Sequence, residues 1–278
     1  MGGRLKTKRT YVIWNPVITR RNGSRVLQRL AIALHDEGCD VFRFAFNAQE
    51  EASDGIPILS KRDITSSLRE NAVVVYPEVV AGNPLRIRNV VRWVLFYPGL
   101  NGGNFRYHKG DVIFAFMPQF FPGAPLLSPP WLDARLFYRD GRARDVDCCF
   151  VHKGGRWRIV PETKGLRVIT MYDPPTREAL ADLLRSTRVL YSFDDCSSVL
   201  DEAQMCGAEV KVVTKDGFRD YESPHPRVVK EFPAQLEHFM DVTSQMNWQG
   251  ELETRLQWRA WLNSLWLFGI KPMILKLV

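Results

Sequence analysis

Leu190-Tyr-Ser-Phe-Asp-Asp-Cys-Ser-Ser-Val-Leu-Asp-Glu-Ala-Gln-Met-Cys-Gly-Ala-Glu-Val210 is the stretch whose reading decides the fold. Residues 189–191 are a short apolar run, which predicts the end of a buried strand. Residues 192–197 are small and polar and predict a loop. Ser197 or Ser198 can cap the helix that follows, with Asp201 and Glu202 in its first turns, where the helix dipole favours acids. Gly207 closes that helix, and residues 209–213 resume as a strand. The unit is therefore strand, polar loop, helix start, glycine stop and strand. In open α/β sheets, ligands bind beyond the carboxyl ends of strands, and a helix N-terminus attracts anions.

Asp194, seven residues, Glu202, then Ala203, Cys206-Gly207-Ala208 and Val210 resemble the donor-site signature of glycosyltransferases built from two Rossmann-like domains, the GT-B architecture. Asp194 stands where that family usually has Glu, and Glu209 stands where Pro is common. The resemblance implies that Glu202 binds the ribose hydroxyls of a nucleotide-sugar. It also implies that Cys196, Ser197 and Ser198 hold the diphosphate and that Asp194 sits near the sugar. The bland alternative is an ordinary Rossmann-like helix with a solvent-facing Glu202.

Working back from this stretch, residues 148–151 predict a strand leading into His152-Lys153-Gly154-Gly155-Arg156. The basic glycine loop resembles the opening of the family's donor domain, where Lys153 and Arg156 would neutralise the diphosphate; a solvated basic loop is the competing reading. A leaving diphosphate gains charge as the glycosidic bond breaks, and cations or helix N-termini can stabilise it. With no Asp-x-Asp motif after a strand, no metal is expected. Residues 166–170 predict a strand, and Thr176 caps a helix reaching about Ser186.

The first half opens with a strand over residues 11–14, a polar loop to Gly23, and a helix over 25–37 capped by Ser24. Gly38 stops the helix before a strand at 39–46, the start of a doubly wound domain. The resemblance places Gly23 against substrate, whereas Asn22-Gly23 alone reads as a turn. A short helix capped by Asp63 is expected over 63–69. Residues 72–76, Ala-Val-Val-Val-Tyr, read as a buried parallel strand that delivers Glu78 at its carboxyl end. Glu78 is thus a candidate acceptor-site acid, or else a solvated loop residue. Residues 87–95 read as a helix with Arg86, Arg88 and Arg92 on its polar side. The loop 97–103 has enough glycine to approach a ligand but is no P-loop; strands are expected at 111–116 and, at an edge, at 135–138.

The expected organisation is α/β: an acceptor-side Rossmann-like domain over 1–140, a donor domain over 141–250, and a terminal aromatic and basic helix over 251–278. A cleft would lie between the two domains, and the last helix would cross back. The expected activity is transfer of a sugar from a nucleotide-sugar to a glycan or lipid-linked acceptor, with retention and without metal or cofactor. A nucleotide-sugar epimerase on the same double fold, or a non-catalytic sugar-nucleotide or glycan-binding module, are the alternatives.

The 278 residues (32.0 kDa) carry a net charge of +7, with 45% hydrophobic and 25% charged residues, an ordinary globular balance. No apolar run reaches the length of a membrane span. Five cysteines lack metal-ligand spacing and are expected as reduced thiols. His225 and His238 lack a partner pattern and read as structural. Arg4, Lys6, Lys8, Arg9, Arg20, Arg21, Arg25 and Arg29 all precede the first acid, Asp36. Arg255, Arg259, Lys271 and Lys276 follow the last acid, Glu253, among tryptophans. Two basic ends point to an anionic membrane surface rather than to nucleic acid, and hence to a cytoplasmic protein peripheral to the inner face of the plasma membrane.

Overall fold

The computed structural model describes residues 9–15, 22–46, 54–104, 106–151 and 160–246. The chain divides into two compact units, one of Met1–Pro130 with Val229–Val278, the other of Trp131–Val228. Both are α/β, each organised on its own largely parallel sheet.

In the first unit the elements are β1 (Thr10–Trp14), α1 (Asn22–Asp36), β2 (Asp40–Phe44), β3 (Ile58–Leu59), α2 (Ser66–Asn71), β4 (Val73–Pro77), β5 (Asn89–Val94) and β6 (Val112–Ala115). Their sheet order is β3-β2-β1-β4-β5-β6, all parallel. This is the Rossmann order, and its direction of winding reverses between β1 and β4. The apolar run of β4 is buried at every residue, as a central parallel strand requires. Trp14 stacks on Phe44 with ring centroids 4.7 Å apart, and both belong to a core shared with Val74, Tyr76 and Ile87.

Three local expectations are corrected here. Residues 87–95 are not helical: Asn89–Val94 is a strand with all six residues buried between β4 and β6. Arg92 does not face solvent. Its guanidinium donates to Asp111 (2.7 Å) and to the Val80 and Gly82 carbonyls, between the rings of Tyr76 and Tyr107. A buried arginine satisfied in this way looks, in sequence, like the polar side of a helix. The helix expected from Asp63 is instead a 3-10 turn, Lys61–Asp63, followed by α2 with Thr65 as its cap (Leu68 N–H to Thr65 Oγ1, 3.2 Å). Ser24 does not cap α1, which begins at Asn22; its hydroxyl donates to Asn15 Oδ1 (2.9 Å) and its carbonyl accepts from Asn15 Nδ2.

In the second unit the elements are β7 (Val146–Phe150), β8 (Arg167–Ile169), α3 (Arg177–Ser186), β9 (Thr187–Ser192), α4 (Ser198–Met205), β10 (Glu209–Thr214) and β11 (Gly217–Asp220). The order β11-β10-β9-β7-β8 is parallel except for β11, which pairs antiparallel to β10. Winding reverses between β7 and β9, as in the flavodoxin-like order. Thr176 caps α3 as expected, accepting from Ala179 N–H at 3.0 Å. The expected edge strand at 135–138 is absent; Phe137 there is a fully buried core residue at a turn. A last helix, α5 (His225–Ser244), starts at the end of this unit and continues into the first.

None of the five cysteines is joined in a disulfide. Among the described residues no helix is long and apolar enough to cross a membrane. The expected terminal helix over 251–278, with its tryptophans, lies outside the described residues.

Candidate functional site

The decisive stretch folds as its pattern predicts. β9 lies centrally in the second sheet, and its carboxyl end is level with that of β7: Phe150 pairs with Ser192, and Phe193 N–H donates to the Phe150 carbonyl at 3.0 Å. The chain therefore leaves both strands side by side at the reversal of winding, where ligands bind in such sheets. From β7 it continues into the segment with Lys153 and Arg156, which lie outside the described residues. From β9 it enters the loop 193–197 that leads to α4.

That loop is tightly turned. Asp194 N–H donates to Ser192 Oγ (3.1 Å), the Ser192 hydroxyl donates back to the Asp194 carbonyl, and Cys196 N–H donates to Asp194 Oδ1 (2.8 Å). Asp194 is only 6% exposed, and its second carboxyl oxygen, Oδ2, is buried with no hydrogen-bond partner among the described residues. A buried acceptor left unmade is costly, so Oδ2 marks a position where a donor from elsewhere would be welcome. Asp194, Asp195 and Cys196 bring possible ligand atoms within 4.8 Å of one another. They are already tied to neighbours, Cys196 Sγ to Asp195 Oδ1 (3.1 Å) and Asp195 to Arg219 (3.6 Å). Ser197 holds the N-cap position of α4 with extended backbone, but its side chain makes no capping bond.

The alternative reading of Glu202 as a solvent-facing helix residue does not hold: this acid has no exposed area at all. Its Oε1 accepts from Arg177 Nη1 (2.9 Å) and from the Ser198 hydroxyl (3.2 Å). The Ser198 hydroxyl thus points along α4 to Glu202. Arg177 in turn lies over the Phe137 ring, 4.6 Å from its centroid. Sequence reasoning missed Arg177, although a signal existed: it is the first residue of α3, where the helix dipole disfavours a cation, so it needs a partner.

For Asp201, beside Glu202, the sequence predicts only an acid suited to the first turns of α4. It is 3% exposed and accepts from Ser223 Oγ (2.6 Å), Tyr221 OH (2.9 Å) and Trp131 Nε1 (3.1 Å). Burial outweighs these donors and pushes its carboxyl above the ordinary value. Burial alone pushes the imidazole of His225, which packs edge-on to Trp131, downward.

In the first unit, Glu78 follows β4 at the other reversal of winding. It is 3% exposed rather than a solvated loop residue, and its Oε2 accepts from Leu95 N–H at 2.9 Å. Gly103, in the loop expected to approach a ligand, approaches Glu78 instead: it has φ +79°, and a Cβ there would run into the Glu78 carbonyl. Tyr107 lies close enough for the Glu78 charge to help raise its phenol, after burial itself. Gly23 is the second residue of α1. Among the described residues a Cβ there would meet Leu95 Cδ1 at 3.8 Å, an ordinary contact.

The two strand orders define a protein of two Rossmann-like α/β units, each with buried acids at the reversal of its sheet. No protein-family model and no curated protein sequence matches the chain. Among solved structures it is similar to an alpha-glucosyltransferase in complex with UDP and a 13-mer DNA containing an HMU base, at 10% identity and TM-score 0.42 over 94% of each chain. It is also similar to an alpha-glucosyltransferase in complex with UDP (9% identity, TM-score 0.44, covering 94% of this chain and 96% of that one). A third is CalG4, the calicheamicin glycosyltransferase (12% identity, TM-score 0.40, 98% and 100% covered). Likeness this distant carries no weight for activity, and the fold class rests on the strand orders.

Proposed function

We propose that the protein is a glycosyltransferase that moves a sugar from a nucleotide-sugar donor to a glycan or lipid-linked acceptor. The observation that carries this reading is Asp194: a buried carboxylate with one oxygen unpartnered among the described residues, at the carboxyl edge of a central parallel strand beside the start of α4. A sugar hydroxyl is a suitable donor for that oxygen, and a diphosphate is a suitable anion for the adjoining helix start. The Asp194–Glu202 spacing in its strand–loop–helix setting adds to it.

In the proposed reaction the bond between the anomeric carbon and the diphosphate oxygen breaks, and that oxygen keeps the electron pair. The acceptor hydroxyl oxygen forms the new bond to the anomeric carbon, and its proton passes to the departing diphosphate oxygen. Lys153 and Arg156, with Cys196, Ser197 and Ser198 at the start of α4, would offset the charge growing on the diphosphate. Glu202, wholly buried against Arg177 and Ser198, would brace the start of α4 rather than reach the ribose. Glu78 would serve on the acceptor side, with Gly23 near it at the start of α1. Retention and independence of a metal ion complete the proposal, together with attachment to the cytosolic face of a membrane through the two basic ends.

Titration calorimetry with UDP, GDP, TDP and CMP tests the donor site, followed by transfer assays with the preferred nucleotide's sugars. Asp194→Asn is expected to keep nucleotide affinity within about threefold and to lower turnover by at least about a hundredfold, a loss confined to the transition state. Transfer should persist in EDTA. Absence of binding by any nucleotide, or full turnover by Asp194→Asn, would overturn the proposal; a requirement for a divalent ion would remove its metal-free form.

A further inference from the structure

The first unit contains a cavity of about 220 Å³ lined by Lys61, Ile64, Arg69, Pro84, Leu85 and Arg86. Ile64, Pro84 and Leu85 are buried and give it an apolar floor. The other three residues are cations, and among the described residues no acid lines it. They come from three segments: the 3-10 turn after β3, the helix α2, and the loop joining β4 to β5. A main-chain bond from Arg88 N–H to the Arg69 carbonyl (2.8 Å) holds the last two together. Of the two acids nearest along the chain, Asp63 is engaged with Ser60, whose N–H and hydroxyl both donate to its Oδ2 at 2.7 Å, and Glu70 follows Arg69 directly at an exposed position.

Lys61 and Arg86 are exposed and Arg69 is half-buried, so the cavity presents an electropositive mouth that attracts an anion. Two further observations point the same way. Arg69 Nε is buried with no hydrogen-bond partner among the described residues, a donor whose cost a ligand would remove. Arg86 has φ +57°, the single positive value at a non-glycine residue among those described. Left-handed backbone is unfavourable for a long side chain and tends to persist where that side chain has work to do.

We propose that this cavity binds a phosphate group, as a monoester or diester. Arg69 and Arg86 donate hydrogen bonds to its oxygens, Lys61 adds charge, and the apolar floor receives the first carbons of the ester. Guanidinium groups match phosphate geometry, and their charge-assisted bonds are the strong ones. This site lies within the first unit and is independent of the nucleotide site proposed in the second.

The test uses probes that lack a nucleoside: inorganic phosphate and glycerol 3-phosphate, titrated calorimetrically against the full chain, and vesicles of phosphatidylglycerol against phosphatidylcholine. Arg86→Gly is the informative variant, because glycine adopts positive φ without strain, so charge is removed while the backbone is relieved. Its Tm should be unchanged or higher. Its affinity for glycerol 3-phosphate, and that of Arg69→Met, should fall at least about tenfold, the loss of one charge-assisted bond. If the same variants also lose binding to phosphatidylglycerol vesicles, the phosphate is a lipid headgroup; if only the soluble probe is affected, it is a soluble ester. Failure of the wild type to bind either probe, or equal binding by a folded Arg86→Gly, would overturn the proposal.

Discussion

Glu202 shares one oxygen between Arg177 and Ser198 while wholly excluded from water, so its removal has structural consequences. Glu202→Ala leaves the Arg177 guanidinium without its carboxylate and opens a gap beside α4. A cost of about 2–4 kcal/mol is expected, below the upper range for buried pairs because Arg177 is partly exposed. Urea denaturation of the variant measures it. Glu202→Gln should recover part of the loss, since an amide oxygen still accepts from both donors. Asp201 contributes in the opposite sense from the molecule's paired surface acids. Its carboxyl lies above 3.8 when folded, so the folded state holds that proton more tightly than the unfolded chain. This group's contribution is therefore greatest below the ordinary carboxylate value and is lost as pH rises through its raised one. Asp63, Asp147, Asp173 and Asp182 are lowered by their hydrogen bonds and charges, and their contributions are lost only as pH falls below about 4. Asp201→Asn should thus flatten the decline in stability that begins above about pH 4, read from denaturation midpoints at a series of pH values.

Between elements, Gly103 closes against the backbone of Glu78 and Val79 that follows β4. Gly103→Ala combines positive φ with a collision against main chain that cannot rotate away, and should cost more than about 2 kcal/mol in thermal or urea unfolding. The variant should also lower any activity that depends on Glu78. The glycine-rich loop 97–103 was recognisable, but its use was not: close approach to a ligand and to the chain's own carbonyl leave the same mark on a sequence. Continuous apolar runs such as β4, and the change from strand to loop to helix around Asp194, survive as local patterns and were legible. β5 was not, because Arg92 is paired with Asp111, nineteen residues away, and no local window contains that partner. The hairpin of β10 and β11 was passed over for a different reason: all four residues of β11 are exposed and supply no alternation. At the candidate site, the loop and helix start could be read, while the burial of Glu202 depends on Arg177 in another helix.

At the scale of the whole chain, charge is unevenly placed, with cations before Asp36 and after Glu253. The proposed membrane attachment predicts sedimentation with anionic vesicles at low salt that weakens as salt rises, at roughly 1 kcal/mol per cation near the surface, and on deletion of residues 270–278. Absence of binding at low salt would leave the terminal residues another role. The second unit, Trp131–Val228, is one uninterrupted length of chain set within the first. Asp201 grips it at both ends, through Trp131 at its entrance and through Tyr221 and Ser223 near its exit. The clasp makes the inserted stretch a self-fastening cassette. Its ends are secured by its own interior, so the segment 131–228 should fold when expressed alone, and Asp201→Ala should loosen both ends together. Amide exchange on the isolated segment reads this directly, and a host chain could accept or shed such a cassette without having to supply the fastening.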